Sequence, residues 1–523
     1  MSVATLAREL PRQAVRSWGW TLHYATLAGI VLLGAYLRLT GLRTQSLWFD
    51  EIDVVVRAQR PLDDVLRTFV QAGENGALYN IFLALWIRVA GISEIGVRFP
   101  SAVAGVLAIP VIYLLARRVI DPTAGLLAAG LLAISPYHLW YSQEAKMYAI
   151  LVLLAATSSL LLVEALERER WLIWAGYVAC TSLMFYTHVA SVLIFVAQAL
   201  YVLLTWRRWA SRRKALLVSG ALLTLPYLPI ALWALRVVGG EVSTWQPDVG
   251  LWDALRILGI KFAANRSELE IERNAALLYL ALALIGLAGL LRLRRPERWW
   301  LLLASLAVVP VIGLYLVSLR NSVFSDRYAI VALPAYLALA AAGLALLIRN
   351  RYLWPLGLVA MVFVAGYAWA PIRDVNRSQA AEKEDWRSAY AYVAEHAQPG
   401  DAIIVHPGYI ITTYDYYAQR EPRLRQYPVA TIPSFKVLWL DRDLMVHMLE
   451  EQIGAPPRIW LIQSPDRAPG EDPNAVLESW LSVTGTLIDE QVLNGVVIQL
   501  YEMKGPTAQT VMTTLPRACP SST

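Results

Sequence analysis

Ala77-Leu78-Tyr79-Asn80-Ile81-Phe82-Leu83-Ala84-Leu85-Trp86-Ile87-Arg88-Val89-Ala90 is the segment on which the topology of this chain turns. Its apolar stretch runs for about 14 residues, short of the roughly 20 that a spanning helix needs. Arg88 stands near its end, so length and charge together favour a helix lying in or near the membrane interface. The basic clusters agree. If the segment does not span, Arg117-Arg118, Arg168 with Arg170, Arg207 to Lys214, Arg292 to Arg298, and Arg349 with Arg351 share one side with Arg8, Arg12 and Arg16 of the amino terminus, as the positive-inside rule expects. If it does span, all those clusters move outside.

Composition sets the class around that segment. Of 523 residues 57% are apolar and only 16% are charged, and the apolar residues fall in long runs, which excludes a soluble enzyme. The net charge of +6 comes largely from clusters between apolar runs, where a bilayer needs them for orientation, so no nucleic-acid partner is implied. Cys180 lies in an apolar run and Cys519 in the tail, and nothing depends on their pairing. The run 21–39 is longer than a signal-peptide core and leads into Arg38 and Arg43 instead of a cleavage site, which reads as a retained first span with its amino terminus inside.

Working outward with that parity, the expected spans are 20–39, 99–118, 122–140, 145–164, 171–188, 190–206, 215–235, 275–291, 299–319, 328–348 and 352–370. The chain therefore reads as a polytopic α-helical membrane protein with about 11 transmembrane helices, its carboxyl-terminal region outside the cytoplasm. The loops 43–98, 135–144, 236–273 and 318–327 fall on that same outer side. From 371 the composition changes. A helix is expected over Asp385 to His396, strands over Ala402 to Val405, Arg458 to Ile462 and Val496 to Tyr501, and a helix over Ala475 to Val483. The domains are thus 1–370 in the membrane, with the outer loop 43–98 and its interfacial helices, an extracytoplasmic α/β domain over 371–504, and a disordered tail over 505–523.

The charges that hydropathy cannot explain gather on the outer face. Trp48-Phe49-Asp50-Glu51-Ile52-Asp53 follows the first span, and Leu47, Trp48 and Phe49 set Asp50 in the interfacial belt, where desolvation raises a carboxyl pKa and suits it to act as a general base. Asp53 pairs with Arg57 at i,i+4, and Pro61 ends that helix before one carrying Asp63, Asp64 and Arg67. In Ser135-Pro136-Tyr137-His138-Leu139-Trp140-Tyr141-Ser142-Gln143-Glu144-Ala145-Lys146-Met147-Tyr148, the outgoing helix is expected from about Ser142, with Glu144 in its first turn. There Glu144 either caps that helix or, with Tyr148 one turn on, lines a polar cavity. Arg98, Lys146 and Arg327 are cations placed to meet an anionic headgroup, and a guanidinium matches a phosphate through bidentate bonds. At the ends of helices such residues also serve as anchors or snorkel. His188 in Tyr186-Thr187-His188 reads as structural.

These residues carry a resemblance. Trp48-Phe49-Asp50-Glu51, Glu74-Asn75 with Ala77-Leu78-Tyr79, Arg98-Phe99-Pro100-Ser101, Tyr141 to Tyr148, and Asp326-Arg327-Tyr328 with Leu333-Pro334 occur in an order that resembles the GT-C membrane glycosyltransferases of the protein O-mannosyltransferase and aminoarabinose transferase group, bacterial family 39. The resemblance covers roughly 20–370. It implies the GT-C fold and transfer of a sugar, hexosyl or pentosyl, from a polyprenyl-phosphate carrier to a lipid, glycan or protein acceptor at the outer face of the bacterial plasma membrane. It implies Asp50 as the base, inversion at the anomeric carbon, and Glu51 as an orienting or assisting group. Glu144, Lys146, Tyr148, Arg98, Arg327, Tyr328, Asn75 and Tyr79 then form the substrate and donor set. No metal is required by such enzymes, although Asp50, Glu51 and Glu144 are the carboxylates a divalent cation would use. One departure is Asn75-Gly76-Ala77, where several relatives have His or Lys followed by Pro-Pro, so a cation expected near the donor phosphate is missing.

Two other readings use the same lipid-linked chemistry. A transporter or flippase of a lipid-linked anion predicts ionisable residues near the bilayer midplane and matched half-repeats, whereas here the charges crowd one face. A polymerase or ligase of surface polysaccharide fits the donor but not the Asp50 loop.

Overall fold

Short polar residues and prolines decide where the apolar sequence breaks into helices. Ser93 accepts the Gly96 N–H and starts Glu94–Val119, and Asp121 accepts from Thr123 and Ala124 and starts Pro122–Ala133. Ser135 then caps a second short helix, Pro136–Ser142. The expected span 122–140 is thus divided at Ile134-Ser135, because Pro136 excludes the residue before it from helical backbone.

The structure, a computed structural model, describes residues 3–68, 75–227, 248–265, 270–293, 297–320, 322–375, 383–432, 442–472 and 475–504. Glu74, the end of the expected span 215–235, part of the loop 236–273 and the tail beyond 504 lie outside the described residues. Among those described, 7 helices are long and apolar enough to cross a membrane: Thr21–Leu39, Glu94–Val119, Tyr148–Glu167, Glu270–Arg292, Trp299–Ser318, Asp326–Arg349 and Trp354–Asp374. The other expected crossings fall on the shorter helices Pro122–Ala133, Trp171–Thr187, Val192–Leu204 and Arg213–Thr224. The segment read as too short to span is a helix over Ala77–Ala90, bounded by Gly76 at φ 89° and Gly91 at φ 71°, conformations that glycine adopts without strain.

Contacts divide the chain into two compact units, Met1–Leu42 with Ala58–Asn376, and Arg43–Arg57 with Arg377–Thr523. This differs from the expectation that the whole loop 43–98 goes with the membrane helices. The apolar run expected in the interfacial belt has its contacts in the second unit: Leu47, Ile52 and Val55 are fully buried, and Phe49 packs edge-on against Tyr409 at 5.3 Å.

In the first unit, small residues let helices approach backbone to backbone. A Cβ at Gly286 would collide with the Leu339 carbonyl, and one at Gly343 with the Leu282 carbonyl, which locks Glu270–Arg292 against Leu333–Arg349. Arg38, at the end of the first span, does not snorkel. It is fully buried and donates to the Leu132 and Ala133 carbonyls at 2.8 and 2.9 Å, binding acceptors at the end of Pro122–Ala133.

The second unit holds a five-stranded sheet of order β2-β1-β3-β5-β4, with β1 Ala402–His406, β2 Val429–Thr431, β3 Arg458–Gln463, β4 Gly485–Leu493 and β5 Val496–Met503. β2, β1 and β3 run parallel, while β5 is antiparallel to both β3 and β4. Helices Trp386–His396, Ile411–Arg420, Arg442–Ile453 and Val476–Thr484 complete it. The strands expected at 402, 458 and 496 and the helices expected at 385 and 475 are present. β2, β4 and the helices at 411 and 442 were not read.

Asp401, at the head of β1, receives two bonds from Arg458 at 2.8 and 2.7 Å and one from the Trp460 indole at 2.9 Å. Burial pushes its pKa up, but these donors and the Gln398 amide outweigh that and hold it below the ordinary value. A depressed carboxyl pKa contributes stability that is present above the unfolded pKa and lost as pH falls through the folded one. Amide protection factors at β1 and β3 in the full chain, corrected for the intrinsic pH dependence of exchange, are therefore expected to fall below about pH 4. Asp401→Asn should raise exchange at neutral pH and flatten that acid dependence; an acid dependence unchanged in the variant would contradict the assignment.

Candidate functional site

The sequence-expected residues fall into two groups. Asp50 and Glu51 belong to the second unit, and Arg98, Glu144, Lys146, Tyr148, Arg327, Tyr328, Asn75 and Tyr79 to the first.

In the second unit, Asp50 lies in the first turn of helix Phe49–Ala58, where the helix dipole favours an anion, and it is partly exposed. Ile52 and Val55 turn inward on that helix. Asp53 and Arg57 form the i,i+4 pair read from their spacing, at 3.1 Å. Glu51 faces inward, 0% exposed, and its Oε2 is 3.2 Å from Lys383 Nζ, itself only 4% exposed. The stretch before the helix is held as closely. Glu384 Oε2 accepts the Phe49 N–H at 3.0 Å, Ser46 Oγ bonds the Tyr417 hydroxyl at 2.8 Å, and Arg387 donates to the carbonyls of Arg43 and Thr44. Arg467 donates to Glu384 Oε1 at 2.8 Å and lies over the Phe49 ring at 4.8 Å. Burial disfavours the Arg467 charge, but Glu384 and Tyr409 together more than offset this and its pKa is raised.

In the first unit, the polar cluster centres on His188. Trp171–Thr187 ends where His188 takes extended backbone at φ −163°, and the ring turns into the interior, 1% exposed. It packs between Tyr148 at 6.0 Å and Tyr328 at 4.7 Å. Asn75, just before helix Ala77–Ala90, accepts the Val189 N–H through Oδ1 at 3.0 Å and places Nδ2 3.1 Å from His188 Nε2. Arg327 and Lys146 both lie within Coulomb range of the ring. Asn75, Lys146, Tyr148, Arg327 and Tyr328, drawn from three separate stretches of chain, are thus brought together around His188, which the sequence reading set aside as structural and which comes from a fourth. Its position at the end of an expected span was the available signal.

Three members of the expected set stand differently. Arg98 is buried and donates to the Leu42 carbonyl at 2.7 Å, a bond that ties the second membrane helix to the end of the first. Tyr79 is buried on helix Ala77–Ala90. Glu144 is not in the first turn of a helix: Pro136–Ser142 ends before it and the next helix begins at Tyr148, so the helix-dipole reading does not hold. The physical reason is Gln143. Its amide donates to the Leu37 and Thr40 carbonyls at 2.9 and 2.6 Å, which docks the chain on the first span and leaves Glu144 in a buried turn. Arg327 and Tyr328 open a 3₁₀ helix, Asp326–Ala332, whose start is fixed by the Tyr137 hydroxyl donating to the Asp326 carbonyl at 2.7 Å. Among the described residues no group of three or more His, Cys, Asp or Glu side chains is arranged to hold a metal ion.

ArnT from Cupriavidus metallidurans in the apo state superposes with a TM-score of 0.57 over 93% of this chain and 98% of that one, at 13% identity. ArnT bound to undecaprenyl phosphate does so at 0.53, over 92% and 98%, also at 13% identity. The chain has the GT-C fold. The Archaeoglobus fulgidus oligosaccharyltransferase tethered with an acceptor peptide shares this GT-C architecture at a TM-score of 0.52, 11% identity, and 91% and 74% coverage. The profile of the family described as dolichyl-phosphate-mannose-protein mannosyltransferase matches residues 75–233, which hold Asn75, Arg98, Glu144, Lys146, Tyr148 and His188. No curated protein matches the chain by sequence.

Gln143→Leu removes the bonds that dock the Glu144 turn on the first span and leaves the part-buried carbonyls of Leu37 and Thr40 and the buried carbonyl of Arg38 with one donor fewer. The full-length protein in detergent is expected to lose about 1–3 kcal/mol of stability and to melt at a lower temperature. An unchanged melting temperature would show that the turn is held some other way.

Proposed function

We propose that this protein is an inverting glycosyltransferase that moves a sugar from a polyprenyl-phosphate carrier to an acceptor hydroxyl at the outer face of the bacterial plasma membrane, with Asp50 as general base. The observation that carries the reading is the contrast between two adjacent carboxylates. Glu51 is buried against Lys383, whereas Asp50 keeps part of its surface exposed on a helix clamped at its first turn. A base must be fixed in place and still be reachable by the proton it takes. Support for the carrier comes from the neighbours, one bound to undecaprenyl phosphate and one tethered to an acceptor peptide, and from the dolichyl-phosphate-mannose description of the matching family.

In the reaction, the acceptor O–H gives its proton to the Asp50 carboxylate as its oxygen attacks the anomeric carbon. The bond from that carbon to the carrier phosphate oxygen breaks on the opposite side, its electron pair leaves with the phosphate, and the configuration inverts. Arg327 and Lys146 stabilise the charge gathered on the leaving phosphate, and electrostatic stabilisation of this kind is usually the largest catalytic contribution. Tyr148, Tyr328, Asn75, Tyr79, Glu144 and Arg98 line or support the donor side. Hexose or pentose fits this scheme equally, and lipid, glycan or protein supplies the hydroxyl.

Asp50→Asn keeps shape and removes basicity. Membrane insertion and carrier binding are expected to stay normal while transfer falls by about 100-fold to 10,000-fold, the usual range for a general base. Retained transfer would remove Asp50 from the mechanism. The scheme is written without a metal ion, so EDTA is expected to leave the transfer rate unchanged; loss of rate on chelation, restored by a divalent cation, would require a metal.

A further inference from the structure

The first residue of the Asp50 helix, Phe49, has an N–H that its own helix cannot satisfy. Glu384 Oε2 takes it at 3.0 Å, and the same oxygen accepts the Trp386 indole at 2.7 Å. The neighbouring residue, Lys383, reaches the Glu51 carboxylate at 3.2 Å. Two consecutive residues more than 330 positions further along the chain therefore grip the helix on either side of Asp50, one through the residue before it and one through the residue after. Lys383 is itself fixed. Its N–H donates to Gln45 Oε1 at 3.3 Å and its carbonyl accepts from Asn494 Nδ2 at 2.8 Å, at the turn between β4 and β5.

We propose that Lys383 and Glu384 are positioning residues for the general base, so that the carboxyl-terminal sheet unit is part of the catalytic apparatus and more than a cover or a selector of acceptors. The inference rests on Asp50 being that base. A buried ion pair is a weak source of net stability, because desolvation of both charges consumes much of the attraction, but loss of one partner strands the other in a low-dielectric interior. Stranding Glu51 gives its helix turn a reason to move toward water. Misplacement of a reacting group by about 1 Å costs about 100-fold in rate, so the pair acts on alignment even where it adds little stability.

The test uses the full-length protein in liposomes, a panel of synthetic polyprenyl-phosphate hexoses and pentoses as donors, membrane extract as acceptor, and amide exchange over Phe49 to Asp53. Lys383→Met is expected to lower kcat by about 10-fold to 100-fold, leave KM for the donor within about twofold, and speed exchange in that stretch. Lys383→Arg keeps a cation opposite Glu51 and should recover most of the rate. Because Lys383→Met and Glu51→Gln break one interaction, the double variant is expected to be little worse than the poorer single one. Glu384→Gln, nearly isosteric, should quicken exchange at the Phe49 amide and lower kcat in the same way. It carries the test if Lys383→Met does not reach the membrane. Normal kcat in both Lys383→Met and Glu384→Gln, or a kcat loss with unaltered exchange over Phe49 to Asp53, overturns the proposal. Asp50→Asn measured alongside separates the two failures: full activity there sinks the base assignment, while exchange in the Lys383 and Glu384 variants still reports whether the clamp orders the helix.

Discussion

A carboxylate taken out of water must find a cation, and in this chain that requirement ties the segment after the first membrane helix to residues near the other end. Glu51 and Lys383 are separated by 332 positions and meet at 3.2 Å in the interior of the second unit. Around that contact Glu384 closes the open end of the helix, Arg467 bridges Glu384 and the Phe49 ring, and Arg387 fixes the carbonyls of Arg43 and Thr44. Residues 43–57 are consequently part of the sheet unit, although they are encoded between membrane helices.

The first unit solves the same problem with hydrogen bonds to backbone. Arg38 satisfies the last carbonyls of one helix, Gln143 docks a turn on another, and Asn75 binds the backbone at His188. Each of these side chains is polar or charged, stands at the end of an apolar run, and orders a segment where a helix stops. Lys146 and Tyr148 follow the turn that Gln143 docks, while Arg327 and Tyr328 lie in the 3₁₀ helix whose start the Tyr137 hydroxyl fixes. At the position where a cation was expected, Asn75 faces the His188 ring that follows helix Trp171–Thr187.

Much of the fold was legible because it depends on local periodicity and charge. The helix over Ala77–Ala90, the Asp53 to Arg57 pair, the membrane helices and three strands of the sheet all follow from patterns within a few turns of chain. What was not legible depends on distant partners. Nothing near Glu51 announces Lys383, so the full burial of Leu47 and the packing of Phe49 against Tyr409 could not be read from the sequence. Glu144 was assigned to a helix start because the sequence does not show that Gln143 reaches Leu37 and Thr40. β4 was missed although Asn494-Gly495, with Gly495 at φ 64°, marks a two-residue hairpin turn; its edge position leaves too much of it polar for alternation to show. β2 is too short for any pattern.

Sidedness is the most direct test of the central claim that the Asp50 stretch and the sheet unit form one body at the outer face. In a background with Cys180 and Cys519 replaced, single cysteines at Arg43 and at Val492, both exposed, can be challenged with a membrane-impermeant maleimide in intact spheroplasts. The account predicts that both are labelled before the membrane is opened. Labelling of either position only after permeabilisation would contradict it.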